Sequence, residues 1–244
     1  MIKYAAAWFL MSNVKDNIAR VQDRIAAACR RAGRKPEEVR LIAVTKTVDA
    51  GRVREAYEAG LRDFGENRVQ EGAAKRSALA GLDATWHLIG HLQSNKATAA
   101  AELFDWIHSV DSIRLAERLN HAAESNQKHL PILLQVNLAQ EETKSGMNAD
   151  EVKSAIENIL AFDRLELRGL MLIPPMSENP GDARSWFRRL RKLAEEIRWT
   201  RATTRVAPTE LSMGMSHDFE VAIEEGATMV RVGTAIFGER QTAT

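Results

Sequence analysis

The sequence predicts a single α/β domain of the (β/α)₈-barrel type with one additional helix at its N-terminus. Short apolar runs alternate with amphipathic helical segments eight times, which is the signature of such a barrel. The 244 residues suit this size, and no Pro/Gly/Ser-rich linker divides them. An open doubly wound sheet is the alternative, but no Gly-x-Gly-x-x-Gly follows the first apolar run.

Ser12 caps the first predicted helix, which ends near Ala32. Its apolar residues recur at the spacing of one helix face: Val14, Ile18, Val21, Ile25 and Cys29. Gly33 and then Pro36 end the helix. We interpret Cys29 as a buried structural thiol, because nothing near it in the sequence would lower its pKa.

Eight strand–helix units follow, and the runs of Val, Ile and Leu in several of the strands are typical of buried parallel strands. The predicted strands cover residues 40–46, 61–65, 85–89, 105–109, 130–138, 165–173, a short stretch ending at 210–212, and 228–232. The predicted helices cover residues 49–59, 67–79, 94–103, 112–126, 149–161, 181–199, 218–225 and a helix-like 233–238. Asp, Asn and Ser at several of these starts are the residue types that cap helices.

Composition limits the possible partners and the compartment. The formal net charge is +1, and no apolar run approaches the roughly 20 residues of a membrane span. One cysteine excludes an internal disulfide framework and fits a reducing compartment. We therefore expect a cytoplasmic protein that binds neither nucleic acid nor membrane. We also expect a monomer, although the sequence does not fix the oligomeric state. The domain occupies residues 12–240, and we expect residues 1–11 to be a disordered extension, since their apolar piece is too short for a signal peptide.

Lys46 stands out because it ends the first buried strand. An unpaired ammonium is costly to bury, so a buried Lys lowers its pKa and becomes an amine that can form Schiff bases. The alternative is a Lys that has already left the sheet and points into water.

A phosphate site is predicted where the last two strands end. Barrels often bind phosphate with these loops, which here carry small and hydroxylated residues: Ser212, Gly214, Ser216, Gly233 and Thr234. Taken singly, each loop could simply turn the chain. Arg231 precedes the second loop and is either a salt-bridge partner or a group that faces a ring nitrogen of the same ligand. A Schiff-base Lys, a phosphate corner and an Arg together suggest pyridoxal 5′-phosphate.

Two other patterns carry less weight. His87 and His91 have the i, i+4 spacing of a metal pair on a helix, but Gly90 argues against a helix and no third ligand is evident. We therefore expect no metal. The basic segment 184–205 is interleaved with apolar residues and predicts an amphipathic surface helix.

These stretches resemble the YggS/PROSC family, the pyridoxal-phosphate-binding homeostasis proteins. The matching stretches include Ala-Val-Thr-Lys at 43–46, Phe-Gly-Glu-Asn-Arg-Val-Gln-Glu at 64–71, and residues 86–96, 136–137, 144–146, 169–171, 211–216 and 230–238. They follow one another over residues 12–240. The resemblance implies a barrel like the N-terminal, cofactor-binding domain of alanine racemases, and a role in vitamin B6 and amino-acid homeostasis without an established turnover reaction.

The resemblance also implies roles for individual residues. Lys46 would hold the cofactor as a Schiff base, Asn67 would lie near the ring, and Arg231 would face the pyridine nitrogen. Lys144 matches a second lysine that accepts the cofactor transiently. The phosphate would be bound by Ser212, Gly233 and Thr234, with Met213 and Gly214 lining that corner.

We expect a cofactor carrier that hands the cofactor to pyridoxal-phosphate-dependent apoenzymes, and an amino-acid racemase is the alternative. Racemisation needs an acid/base group on each face of the substrate, and Lys46 can serve one face. Alanine racemases place a Tyr on the other face and complete the site with a second domain. The tyrosines here are Tyr4 and Tyr57, neither expected in the site, and the chain ends at Thr244 soon after the barrel. A Schiff-base aldolase would need a proton shuttle near Lys46, and the sequence offers no convincing one.

Overall fold

The computed structural model describes residues 13–141, 144–201 and 206–239. The predicted N-terminal extension at residues 1–11 lies outside these ranges. None of the helices in them combines the length and the apolar character that a membrane crossing requires.

Eight parallel strands form a closed barrel in which each strand pairs with its neighbours in sequence. The strands are β1 (Arg40–Val44), β2 (Asp63–Glu66), β3 (Thr85–Leu88), β4 (Trp106–Val110), β5 (Leu130–Val136), β6 (Leu165–Leu172), β7 (Val206–Met215) and β8 (Met229–Val232). Pairing of β1 with β8 closes the barrel and sets Ile42 level with Arg231. The predicted fold class is confirmed.

A helix precedes the barrel and a helix follows each strand. The helices are α1 (Val14–Arg31), α2 (Ala50–Glu58), α3 (Val69–Ala78), α4 (Ala97–Leu103), α5 (Ile113–Ser125), α6 (Ala149–Leu160), α7 (Arg184–Arg201), α8 (Phe219–Glu224) and α9 (Thr234–Phe237). Short 3₁₀ turns at Pro36–Glu38, Ser94–Lys96 and Pro180–Ala183 precede β1, α4 and α7.

Helix α1 begins one residue later than predicted. Its cap is Asn13, whose side chain accepts a hydrogen bond from the backbone N–H of Lys15 at 2.9 Å. The helix lies against α8 and α9, and the Asn17 amide donates to the Ile236 carbonyl at 2.7 Å. Cys29 is fully buried on its apolar face, and burial raises the pKa of that thiol, as a structural role requires.

Most strand ends differ from the predicted ones by one to three residues, and two of these differences affect the site. β1 ends at Val44 because Thr47, three residues later, has a φ of 62° and turns the chain out of the sheet. Lys46 therefore lies in the βα turn. β7 extends past Ser212 to Met215, and its register with β8 shifts between these two residues.

The inside of the barrel contains a small apolar layer and several buried polar side chains. Four fully buried residues form the apolar layer: Ile42, Leu133, Met171 and Met229. Barrels usually fill such layers with branched apolar residues. Here His87, His108, Ser212 and Arg231 are also buried, and Arg231 follows Met229 by two residues on the same face of β8.

Replacing Gly169 with Ala tests the β6–β7 seam. A Cβ at Gly169 would lie 1.8 Å from the carbonyl oxygen of Glu210, so the two strands would have to move apart. We expect the free energy of unfolding to fall by about 3 kcal/mol or more, as measured by urea denaturation. The exposed Gly181→Ala variant is the control and should change it by less than about 0.5 kcal/mol. Equal values for both variants would contradict this account of the seam.

Candidate functional site

One large cavity opens at the carboxyl ends of the strands, where barrel active sites lie. Its volume is about 1680 Å³, which exceeds the roughly 300–1,000 Å³ of common small-molecule sites. Seven of the residues expected from the sequence line it: Lys46, Asn67, Lys144, Ser216, Arg231, Gly233 and Thr234. They come from five βα loops and from β8 itself, so the barrel brings together residues that are far apart in sequence.

Lys46 is half-buried and follows a residue that is held at three points. The Thr45 N–H donates to the Gly65 carbonyl at 2.9 Å, and its hydroxyl donates to Glu66 Oε1 at 2.5 Å. Its carbonyl accepts a hydrogen bond from the Lys75 ammonium. These bonds leave the backbone before Lys46 little freedom, so the position of the Lys46 amine depends on its own side-chain torsions.

The Glu66–Lys75 ion pair supports this turn, because both side chains form hydrogen bonds with Thr45. The Lys75 Nζ lies 2.6 Å from Glu66 Oε1, and the Glu66 side chain is fully buried. Burial raises the pKa of the Glu66 carboxyl, while the Lys75 ammonium and the Thr45 hydroxyl oppose that rise. The second carboxylate oxygen, Glu66 Oε2, has no hydrogen-bond partner among the described residues. The charge of Glu66 therefore depends on Lys75.

Arg231 places a buried positive charge at the wall of the cavity. It is 3% exposed, and its NH1 and NH2 groups donate to Ser212 Oγ at 2.6 Å and to the Leu172 carbonyl at 3.0 Å. Burial lowers the pKa of the guanidinium to about 10, and Asp218 opposes this effect. Arg231 therefore stays charged at neutral pH and keeps N–H donors beyond those two for a ligand.

Ser212 is turned away from the cavity and belongs to a line of buried polar groups. Its hydroxyl lies 2.9 Å from His108 Nδ1, His108 Nε2 lies 3.0 Å from His87 Nδ1, and His87 Nε2 lies 2.9 Å from Asp63 Oδ1. Burial lowers the pKa of His87 and lowers that of His108 well below its usual value. Both imidazoles are therefore neutral at pH 7.

The phosphate corner differs in detail from the expectation. Ser212, Met213 and Gly214 do not line the cavity among the described residues; Met213 is fully buried in the core. Gly214 has a φ of 89°, and a Cβ there would lie 2.5 Å from the Ala222 Cβ, so it serves the contact with α8. The hydroxyl that reaches the corner is Ser216, which accepts from the N–H groups of Gly233 at 3.2 Å and Ala235 at 3.4 Å.

Gly233 lets the end of β8 approach the end of β1. A Cβ there would lie 3.2 Å from the Val44 carbonyl oxygen and 3.3 Å from the Val44 Cβ. This close approach brings the backbone of Gly233 and Thr234 to the loop that carries Lys46. Gly90 likewise lets the loop after β3 approach the backbone of Asn67, because a Cβ at Gly90 would lie 2.4 Å from the Asn67 carbonyl oxygen.

Lys144 lies on another wall of the cavity. Its Nζ donates to Glu141 Oε1 at 2.9 Å and to the Pro174 carbonyl at 3.2 Å. The Asn137 amide holds the loop by donating to the carbonyls of Glu141 and Lys144.

The two histidines considered for a metal have separate partners. His91 lies 3.1 Å from both Asp111 Oδ2 and Ser145 Oγ at the mouth of the cavity. His87 is inside the barrel with Asp63 and His108.

The fold and the site define a barrel of the alanine racemase N-terminal type. The family model described as "Alanine racemase, N-terminal domain" matches residues 16–241. An alanine racemase of Clostridium difficile has the same fold, with a TM-score of 0.69, 14% identity, and coverage of 95% of this chain and 58% of the racemase.

More similar relatives narrow the class. The pyridoxal phosphate homeostasis protein of Aquifex aeolicus is 45% identical over 229 residues, which cover 94% of this chain and 99% of the relative. The structure of PipY of Synechococcus elongatus with PLP bound has a TM-score of 0.81 and 40% identity, and covers 92% of this chain and 100% of PipY. The chain belongs to the family of the pyridoxal phosphate homeostasis proteins, which confirms the resemblance seen in the sequence.

Several site residues were not found from the sequence. Thr45, Glu66 and Lys75 contact one another across the fold, and no local sequence motif predicts these contacts. His108 lies in a predicted strand, and no motif singles it out. Ser216 was expected from the sequence together with Ser212, and of the two it is Ser216 that lines the cavity.

Removing Lys75 tests the support of the Lys46 turn. Lys75→Met leaves the Glu66 carboxylate buried and unpaired, so we expect the free energy of unfolding to fall by about 3–5 kcal/mol at pH 7.5. The double variant Glu66→Gln/Lys75→Met buries no charge and should recover more than half of that loss in urea denaturation. A double variant as unstable as the single one would contradict a role for the charge.

The buried His108 predicts a loss of stability in acid. Its pKa in the folded protein lies well below its unfolded value near 6.5, so its contribution is complete above about pH 6.5 and is lost as the pH falls. Between pH 7.5 and 5.5 this contribution should decrease by about 1 kcal/mol. Over this pH interval the unfolding free energy of His108→Gln should therefore decrease less than that of the unsubstituted protein. The control variant His121→Gln, at an exposed position, should show the same decrease as the unsubstituted protein.

Proposed function

We propose that this protein binds pyridoxal 5′-phosphate in the barrel cavity through a Schiff base on Lys46, and that it acts as a carrier in vitamin B6 and amino-acid homeostasis. One observation carries the proposal: an amine (Lys46), a buried cation (Arg231) and the small-residue corner at Gly233–Thr234 line the same cavity. Relatives of this family carry the name pyridoxal phosphate homeostasis protein, and PipY has been seen with PLP bound.

The residues present fit the chemistry of this cofactor. Pyridoxal phosphate supplies an aldehyde that condenses reversibly with amines, together with a ring nitrogen and a phosphate. Lys46 offers the amine on a turn that Thr45 fixes. Arg231 offers N–H donors to an acceptor such as a ring nitrogen, and a guanidinium there keeps that nitrogen unprotonated. Asn67 lines the wall near β2.

The phosphate would lie at the corner formed by Gly233, Thr234 and Ser216. The close approach of Gly233 to Val44 places this corner beside the β1 turn. Ser212, Met213 and Gly214 would act behind the corner, because they shape the loop and hold Arg231. Lys144, on another wall, is the candidate for a second lysine that accepts the cofactor transiently.

A carrier is favoured over a racemase by the position of the tyrosine that the structure describes. Tyr57 lies on α2, where its ring packs under the Arg62 guanidinium at 4.0 Å, and no described residue that lines the cavity is a tyrosine. The cavity leaves room for an incoming amine beside the cofactor. We propose that pyridoxal-phosphate-dependent apoenzymes receive the cofactor, and that the carrier is a cytoplasmic monomer.

Borohydride reduction of the loaded protein tests the anchor. After incubation with pyridoxal phosphate, the unsubstituted protein should be yellow, and reduction followed by peptide mapping should place the phosphopyridoxyl group on Lys46. Lys46→Ala should lose most of this adduct and keep its fold, because the hydrogen bonds of Thr45 that hold the turn remain in this variant.

The matched control is Lys144→Ala, which removes the other lysine that lines the cavity. It should retain most of the adduct on Lys46. An equal amount of reducible adduct on another lysine in Lys46→Ala would show that Lys46 is not the anchor. A colourless, unmodified protein would remove the cofactor from the proposal, and turnover of amino acids by the loaded protein would favour the racemase.

A further inference from the structure

A line of hydrogen-bonded side chains crosses the inside of the barrel from the start of β2 to the cavity. Its members come from five strands, namely β2, β3, β4, β7 and β8. In order they are Asp63, His87, His108, Ser212 and Arg231, with neighbouring atoms 2.6–3.0 Å apart. Asp63 is part-exposed at the end of the barrel remote from the cavity, whereas the other four are buried.

The groups at the two ends of the line, Asp63 and Arg231, determine which atom carries each proton between them. The Asp63 carboxylate only accepts, so His87 must carry its proton on Nε2. A neutral His87 then accepts at Nδ1, which requires the proton of His108 to lie on Nε2.

The same reasoning reaches Arg231. A neutral His108 accepts at Nδ1, so the Ser212 hydroxyl donates to it, and the Ser212 oxygen accepts from the guanidinium of Arg231, which only donates. All the hydrogen bonds therefore run in one direction, from Arg231 to Asp63.

Such a line is an expensive way to fill a barrel. Burying polar groups costs free energy that apolar side chains of similar size would not, and barrel interiors are usually filled with Val, Ile and Leu. Here the line is matched along its length, since both nitrogens of each imidazole and the Ser212 hydroxyl face a partner. Hydrogen bonds in a chain also polarise one another, so a carboxylate at one end strengthens the bond at the other.

We propose that Asp63, His87, His108 and Ser212 are positioning residues that orient the Arg231 guanidinium toward the ring nitrogen of the bound cofactor. This inference rests on the proposed function, because it takes pyridoxal phosphate as the ligand of Arg231. Ser212 fixes NH1 and the Leu172 carbonyl fixes NH2, so the plane of the guanidinium is set by two bonds. Ser212 therefore acts on the ring through Arg231 and does not bind the phosphate.

Imidazole nitrogen NMR on the cofactor-free protein tests the direction of the line. At pH 7.5 both His87 and His108 should be neutral with the proton on Nε2. In Asp63→Asn the terminal group can donate as well as accept, so the His87 tautomer is no longer fixed and its nitrogen shifts should change. A proton on Nδ1 of either ring, or an imidazolium, in the unsubstituted protein would overturn the proposal.

The loaded protein tests the effect on the ligand. Ser212→Ala and Asp63→Asn should each release the cofactor about three- to tenfold faster and shift its visible absorption maximum, since Ser212→Ala removes the two bonds of the Ser212 hydroxyl and Asp63→Asn weakens the bond at the end of the line. Two matched controls should resemble the unsubstituted protein. Ser109→Ala removes a buried hydroxyl that has no partner among the described residues, and Asp105→Asn changes a carboxylate at the same end of the barrel.

Pyridoxal without its phosphate separates this role of Ser212 from phosphate binding. Ser212→Ala should accelerate the release of pyridoxal and of pyridoxal phosphate by the same factor. An effect on pyridoxal phosphate alone would make Ser212 a phosphate ligand and overturn its place in the line. The double variant Ser212→Ala/Asp63→Asn should release the cofactor no faster than the more affected single variant, because both break one connected unit.

Failure of the inference can be told from failure of the proposed function. Unsubstituted protein with the cofactor on Lys46, combined with variants that match their controls, would overturn the positioning role alone. Absence of a Lys46 adduct in the unsubstituted protein would overturn the proposed function and, with it, the ligand assigned to Arg231. The NMR result on the cofactor-free protein reports on the line itself in either case.

Discussion

The pairing of β8 with β1 is the constraint on which the site depends. It closes the barrel and joins residues almost 190 positions apart, with Ile42 level with Arg231 and Ala43 level with Val232. Gly233 permits the close contact with Val44 just beyond this register. The turn that carries Lys46 and the loop that carries Thr234 are therefore fixed by the same pair of strands. The spacing between amine, guanidinium and phosphate corner is a property of the barrel, not of flexible loops.

The sequence predicted the parts of this arrangement that depend on local pattern. Apolar runs of strand length, separated by helical periodicity, identify βα units, and the βα loops of such a barrel meet at one end. Lys46, Arg231, Gly233 and Thr234 follow from that rule. The structure puts Ser212 behind Arg231 because β7 changes register between Ser212 and Met215. No local pattern reveals such a shift. The alternation of side chains within β7 shows which residues share a face, but it does not show how β7 is aligned with β8.

The polar interior could not be predicted for a related reason. Asp63, His87 and His108 belong to three successive strands, and nothing in the sequence near any of them points to the other two. Only closure of the barrel brings Ser212 of β7 to His108 of β4, across the interior and not along the sheet. The Glu66–Lys75 pair is similar, since the contact joins a strand end to the middle of α3. Both clusters are largely buried, so the loss of one partner in either would leave a buried polar group unpaired.

The two buried clusters have different consequences for a carrier. The Glu66–Lys75–Thr45 cluster holds the backbone beside Lys46, so in our proposal it determines where the bond to the cofactor can form. The line that ends at Arg231 acts on a noncovalent contact, so in our proposal it determines how firmly the ring is held once the bond is made. The carrier that we propose needs a rigid backbone beside Lys46 and a ring contact of moderate strength, because in the proposal the aldehyde leaves Lys46 for another amine. A neutral hydroxyl between Arg231 and the histidines meets that need, since a carboxylate in direct contact would hold the guanidinium more strongly.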